Sequence, residues 1–120
     1  MDIDAAAFAE NWVDAWNAHD VEAVLAHFDD DVVFTSPVAA RLLPATGGRI
    51  HGKDALRDYW VLALGKLPDL HFTVEAVYTG IDTIVINYRN QRGALVNEIL
   101  RFAGGVVVEG HGTYLTPSPA

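Results

Sequence analysis

The stretch NWVDAWNAHDVEAVLAHFDDDVVFTSPV, residues 11–38, most constrains what this chain can fold into. One apolar-faced helix ends in it, a second short helix starts and stops, and a strand runs on to Pro37. Elements that close in sequence can form only the lid and first wall of a small cavity, so the rest of the chain must supply the other walls. Phe8, Trp12 and Trp16 recur at four-residue spacing beside Ala5, Ala9 and Ala15, which predicts a helix over 4–18 with Asp2 or Asp4 at its cap. Two tryptophans on that face either pack a core or turn an indole N–H toward a cavity. Asn17–Asp20 breaks the helix, and Asp20 is placed to cap the next one. Val21, Val24, Leu25 and Phe28 then fall at i, i+3, i+4 and i+7, leaving His27 off the stripe and expected to face solvent. Asp29, Asp30 and Asp31 read as a solvated turn, because adjacent carboxylates cannot converge on one ion and the spacing of a calcium loop is missing. Val32–Ser36 alternates into a strand that Pro37 ends.

Residues 38–52, with Pro44, Gly47, Gly48 and Gly52, predict a loop or loose hairpin, and Leu42 and Leu43 within it suggest a flap over the cavity mouth. A third helix is expected over 53–67, burying Leu56, Tyr59, Trp60, Ala63, Leu64 and Leu67 and stopped by Pro68. Four strands follow, over 71–79, 82–90, 94–103 and 106–115, and most simply form an antiparallel meander. The TPSPA tail is expected to fray.

Register decides which side chains point inward. A three-residue loop at Gln91–Gly93 sets Tyr88 opposite Val96 and Ile86 opposite Glu98. One face then carries Ile84, Ile86, Tyr88, Asn90, Val96, Glu98, Leu100 and Phe102. Helices should cover it, which makes Glu98 a carboxylate in a hydrophobic row, costly to bury ionised and alone. For the last strand, a two-residue Gly104–Gly105 turn pairs Glu98 with His111 and puts both inside. A three-residue turn puts Val106, Val108 and Tyr114 inside and His111 out, and hydrophobicity favours that second register.

The 120 residues suit one domain, and their formal charge of −8 disfavours nucleic acid and anionic membrane as partners. No apolar run reaches the ~20 residues of a membrane-spanning helix. The acidic start MDIDAAAF argues against a leader peptide, so cytoplasmic is the default expectation. Without cysteine there is no disulfide, thiolate metal site or cysteine nucleophile. His19, His27, His51, His71 and His111 lack metal-ligand spacing, no nucleotide or hydrolase signature occurs, and neither metal nor cofactor is expected.

The segments WNAHDVEAVLAHFDDDVVFTSP, GKDALRDYW and EILRF, in this order of elements, resemble the nuclear transport factor 2-like superfamily of SnoaL-like cyclases and ketosteroid isomerases. The resemblance spans nearly the whole chain and implies one SnoaL-like domain over 1–120. Its fold would be an α+β cone, a curved antiparallel sheet wrapped around three helices with a pocket between them. It also implies a homodimer through the open sheet face, where Val85 and Ile99 stand among Asn87, Arg89, Asn97 and Arg101. The isomerases' pocket tyrosine falls on Trp12 and their catalytic aspartate on Ser36, so steroid isomerisation is not expected. Their second, protonated acid has a counterpart in Glu98. For the pocket acid–base group of the cyclases, His111 is the candidate if the last strand turns it inward. The Asp-Arg-Asp set of limonene epoxide hydrolases is not matched.

The expectation is a pocket for a small, compact, mostly apolar ligand. Glu98, His111 and Tyr88 are the candidate chemical groups, and Trp12, Trp16, Phe34, Ser36, Tyr59, Trp60, Asn90 and Tyr114 line the ligand. Cofactor-independent isomerisation, cyclisation or dehydration fits such a site. The alternative is a non-catalytic ligand-binding or dimerisation module of the same fold.

Overall fold

A computed structural model describes residues 2–117, so the last three residues of the TPSPA tail lie outside the described residues. Helix α1 (Ala5–Asn17) starts where the Asp4 carboxylate accepts from the Ala7 N–H at 3.1 Å, and its buried face is Phe8, Ala9, Trp12 and Trp16. Helix α2 (Val21–Leu25) is capped in the same way by Asp20, accepting from Ala23 at 3.1 Å. It is shorter than its periodicity suggests, because Phe28 opens strand β1 (Phe28–Thr35) instead of closing the helix. The three aspartates therefore belong to the strand, and His27 is half-buried with its ring edge against Phe8 at 5.3 Å.

The expected loop over 38–52 is ordered secondary structure. Helix α3 (Pro37–Leu42) begins at Ser36, whose hydroxyl oxygen accepts from Val38 N–H at 3.1 Å, with Pro37 in the first helical position. Proline there has no N–H to waste and a φ already set for a helix. A 3₁₀ turn (Pro44–Thr46) and strand β2 (Arg49–His51) complete the segment. Leu42 and Leu43 are partly buried against the core and Leu43 borders a separate shallow groove, so neither is a flap over the main cavity. Helix α4 (Lys53–Lys66) follows as expected, burying Leu56, Tyr59, Trp60 and Ala63.

Strands β3 (Thr73–Gly80), β4 (Thr83–Arg89), β5 (Leu95–Ala103) and β6 (Val106–Tyr114) form the meander. The six-stranded sheet has the order β2-β1-β6-β5-β4-β3 and is antiparallel except at β1–β6, which runs parallel. This α+β roll is the expected fold with a fourth helix and one parallel pair added. Register shifts in β1, β3 and β6 bend it, as bulges do. Tyr88 faces Val96 and Ile86 faces Glu98, as the loop length predicts.

Strand β6 follows each expected register for half its length. Ala103 pairs with Val106 and Phe102 with Val107, as a two-residue turn requires. A bulge then shifts the strand by one, so that Glu98 faces Gly112 and Ile99 faces His111. Val107 is therefore fully buried where Val106 and Val108 were expected inside, and His111 lies on the outer face. Among the described residues no helix is long and apolar enough to cross a membrane.

Candidate functional site

Helices α1 and α4 lie against the concave face of the sheet and leave between them a cavity of about 80 Å³, neither sealed nor a surface groove. That is about half the ~150 Å³ that admits benzene in an engineered cavity, so a one-ring ligand would also use the open side. The aromatic wall is Trp12 and Trp16 from α1, Phe34 from β1, and Tyr59 and Trp60 from α4. Ser36, Tyr88, Asn90, Glu98 and Tyr114 are among the polar residues of its lining. Every residue expected at the ligand thus borders one cavity. His111 does not, because the β6 bulge turns it outward.

On the outer face His111 is held in a chain of its own. Its Nε2–H donates to Glu109 at 2.7 Å, its Nδ1 shares a hydrogen bond of 2.5 Å with the Thr35 hydroxyl, and Arg101 donates to Glu109 at 2.9 Å. His111 and Arg101 together hold the Glu109 carboxyl below the usual range. Neither Arg101 nor His111 is therefore available to Glu98.

Glu98 is 5% exposed, and among the described residues its one side-chain partner is the Tyr88 hydroxyl, donating over 3.5 Å. So long a contact returns little of the lost hydration. Burial pushes the carboxyl from 4.5 up to about 8, with the Tyr88 hydrogen bond opposing weakly, so it is mostly protonated at neutral pH. Burial and the same carboxyl raise Tyr88 well above the ordinary phenol value, and burial takes Tyr114 up to about 12. Tyr59 is also raised by burial, with the Ser36 hydroxyl pulling the other way. The cavity thus presents several neutral O–H donors and, among the described residues, no cation that pairs with Glu98. Such a lining suits an acceptor oxygen on the ligand, and one of the donors can also release a proton near neutral pH.

Sequence reasoning missed Val38, Phe72, Gln91 and Gly112, which also border the cavity. Phe72 stacks on Trp12 at 5.7 Å and lies 4.4 Å from the Tyr88 ring. It is placed there by Asn17, which accepts from Phe72 N–H at 2.8 Å and donates to Phe72 C=O at 2.9 Å. An asparagine at the end of α1 reads only as a helix breaker; nothing local in the sequence names its partner 55 residues away. Gly112 was legible in principle, since it shares parity with Tyr114.

A curved sheet closing with helices on a cavity is the fold of the nuclear transport factor 2-like class. The chain belongs to the SnoaL-like domain family, which it matches over residues 9–115. A SnoaL-like protein of unknown function from Burkholderia thailandensis E264 is 37% identical, with a TM-score of 0.88 over 93% of this chain and 94% of that one. An NTF2-like protein from Burkholderia xenovorans LB400 is 21% identical, with a TM-score of 0.71 over 97% and 86%. TerC, solved co-crystallised with polyporic acid, is 13% identical, with a TM-score of 0.75 over 92% and 90%. These last two share the fold. No curated protein matches the sequence.

Proposed function

We propose that the cavity binds a compact, mostly apolar molecule through a carbonyl-type oxygen, with protonated Glu98 as its acid–base group and Tyr88 as its hydrogen-bonding neighbour. The observation that carries this reading is a fully buried carboxyl, facing a cavity, with one long hydrogen bond and no cation. As carboxylate Glu98 takes a proton from the carbon beside the carbonyl while the neutral Tyr88 hydroxyl donates to the oxygen on which charge builds, and the acid so formed returns the proton to carbon. That exchange is what isomerisation, cyclisation or dehydration beside a carbonyl needs. The polyporic acid bound by TerC supports small-molecule binding in this fold. Titrating the protein with acetophenone while following the Glu98 carboxyl by NMR tests the reading; a resonance that titrates as an ordinary glutamate and ignores the ketone removes it.

A non-catalytic reading of the same cavity is favoured by Ser36. It stands where the isomerases carry their base and is committed to capping α3, so the cavity has no second carboxylate to move a proton across a substrate. Binding without turnover then follows, and proton exchange on a bound ketone separates the two.

Gly112 gives a direct test of the cavity. A Cβ there would lie 3.5 Å from Glu98 Oε1 and 3.6 Å from Ser36 Oγ, ordinary contact distances at an unstrained φ. Gly112→Ala is therefore expected to fold with stability within about 1 kcal/mol of the parent. It should bind acetophenone roughly tenfold more weakly, because the methyl takes space beside the acid. Undiminished affinity would place the ligand elsewhere.

We propose also that two copies pair through the outer sheet face. Tyr78, Val85, Ile99, His111 and Thr35 stand in one cross-strand row, and Tyr78 is 61% exposed. An apolar centre with polar flanks suits a self-complementary contact. Light scattering should give twice the chain mass at micromolar concentration, falling to one on Ile99→Lys; a monomeric parent rejects it.

A further inference from the structure

We propose that Gln91 is a specificity-determining residue of the cavity, where its side-chain oxygen accepts a hydrogen bond from a hydroxyl or N–H group of the ligand. The proposal rests on the cavity being a ligand site and adds what that ligand must carry.

Among the described residues, Gln91 Oε1 is the one buried side-chain polar atom without a hydrogen-bond partner. Leaving an amide oxygen buried and unpaired costs about 1–3 kcal/mol, and folded proteins rarely keep such an atom without a use for it. Gln91 borders the same cavity as Glu98.

The turn that carries Gln91 is fixed by other groups. Asn90 N–H donates to Ala94 C=O at 3.0 Å and Gly93 N–H to Asn90 C=O at 2.9 Å. The Asn90 side-chain oxygen accepts from both Arg92 N–H, at 3.0 Å, and Ala94 N–H, at 3.1 Å. Gly93 takes the positive φ of 77° that closes the turn. Asn90, expected to touch the ligand, thus has its acceptor engaged by the turn, and it acts as a positioning residue for its neighbour. Gln91 is held against the cavity with its own acceptor unused.

Glu98 and Gln91 then ask for opposite chemistry on the ligand. Around Glu98 the protein offers O–H donors, which call for an acceptor on the ligand. At Gln91 it offers an acceptor, which calls for a donor. The rest of the lining is mostly aromatic and aliphatic. The ligand class is therefore a compact hydroxy-carbonyl or amino-carbonyl compound with an apolar body of about one ring.

The test compares acetophenone with 3- and 4-hydroxyacetophenone, titrated into the intact protein by NMR at mildly acidic pH, where phenol and Glu98 are both protonated. One of the hydroxyketones should bind about tenfold more tightly than acetophenone. In Gln91→Met that preference should vanish, the ratio of hydroxyketone to acetophenone affinity falling to about one. The ligand-free variant should melt no lower than the parent, since the atom removed had no partner. Gln91→Leu serves as a second variant should methionine disturb the turn. Equal binding of all three ketones by the parent overturns this proposal alone and leaves the Glu98 site standing. A preference that survives both variants, or ligand-free variants that melt well below the parent, also overturns it. Failure of all three ketones to bind overturns it together with the cavity reading.

Discussion

Glu98→Gln is expected to gain stability relative to the parent as pH rises from 4.5 to 8. The folded carboxyl holds its proton up to about 8, whereas the unfolded chain releases it near the ordinary value of 4.5. The folded form therefore binds more protons across this window, and the parent loses stability as pH climbs through it. The difference of about 3.5 units, at 1.36 kcal/mol each, corresponds to about 5 kcal/mol over the full range. Below 4.5 both states are protonated and the cost disappears. Glutamine is neutral throughout, so its stability lacks this slope, and any fixed effect of the amide on packing appears as an offset independent of pH. Other titrating groups, such as the Glu109 carboxyl held down by His111 and Arg101, are common to both proteins and cancel. Urea denaturation of the pair at several pH values from 4.5 to 8 measures the difference directly. Parallel stability curves would mean that Glu98 is ionised and compensated in the folded protein. The neutral-acid role would then be untenable. The same variant should keep most of its ketone affinity, since the amide can still donate, while proton exchange on a bound ketone is abolished.

That Glu98 is such an outlier was legible from alternation alone. Ile86 opposite Glu98 follows from the loop at Gln91–Gly93, and the apolar row fixes which side is covered. The outward direction of His111 agrees with the register that hydrophobicity favours, but not for the expected reason: the turn is the two-residue one, and a bulge after Val107 shifts the rest of β6 by one. A Cβ on Gly110 would come within 3.0 Å of Phe34 and 3.2 Å of Leu100, closer than ordinary contact, so the sheet is close-packed where the sequence offers least pattern. The helix at Pro37 was hidden for another reason. Pro37 was read as the stop of a strand, yet Ser followed by Pro is also a helix start, and both readings hold. Strand β2 is three residues long, too short for alternation to announce it. The residues lining the cavity were foreseeable where they belong to an amphipathic stripe, as Trp12, Trp16, Tyr59 and Trp60 do. Gln91 was not, since a turn residue carries no periodicity, and its interest lies in a bond it does not make.

Trp60→Ala is expected to be the most damaging single truncation in the aromatic wall, lowering stability by about 3–5 kcal/mol. The indole is 4% exposed and meets three rings edge-on: Trp16 at 4.9 Å, Phe28 at 5.4 Å and Phe34 at 5.6 Å. Those rings come from α1 and from both ends of β1, so the indole joins helix α4 to the two elements that form the first wall of the cavity. Removing it forfeits burial of a large apolar surface and several edge-to-face contacts at once. The sheet and helices around it cannot close over the gap without moving β1. A domain of this size has roughly 6–18 kcal/mol in total, so the variant should remain folded at room temperature and melt on the order of 10 °C or more below the parent. Trp60→Phe should recover a large part of the loss. Val61, the next residue and 57% exposed, supplies the control: Val61→Ala should change stability by less than about 0.5 kcal/mol. Thermal and urea denaturation of the three variants measure this order. A Trp60→Ala protein as stable as Val61→Ala would show that α4 does not hold the wall. Where the fold survives, the enlarged cavity should relax the size limit, so that two-ring ketones excluded by the parent bind the variant.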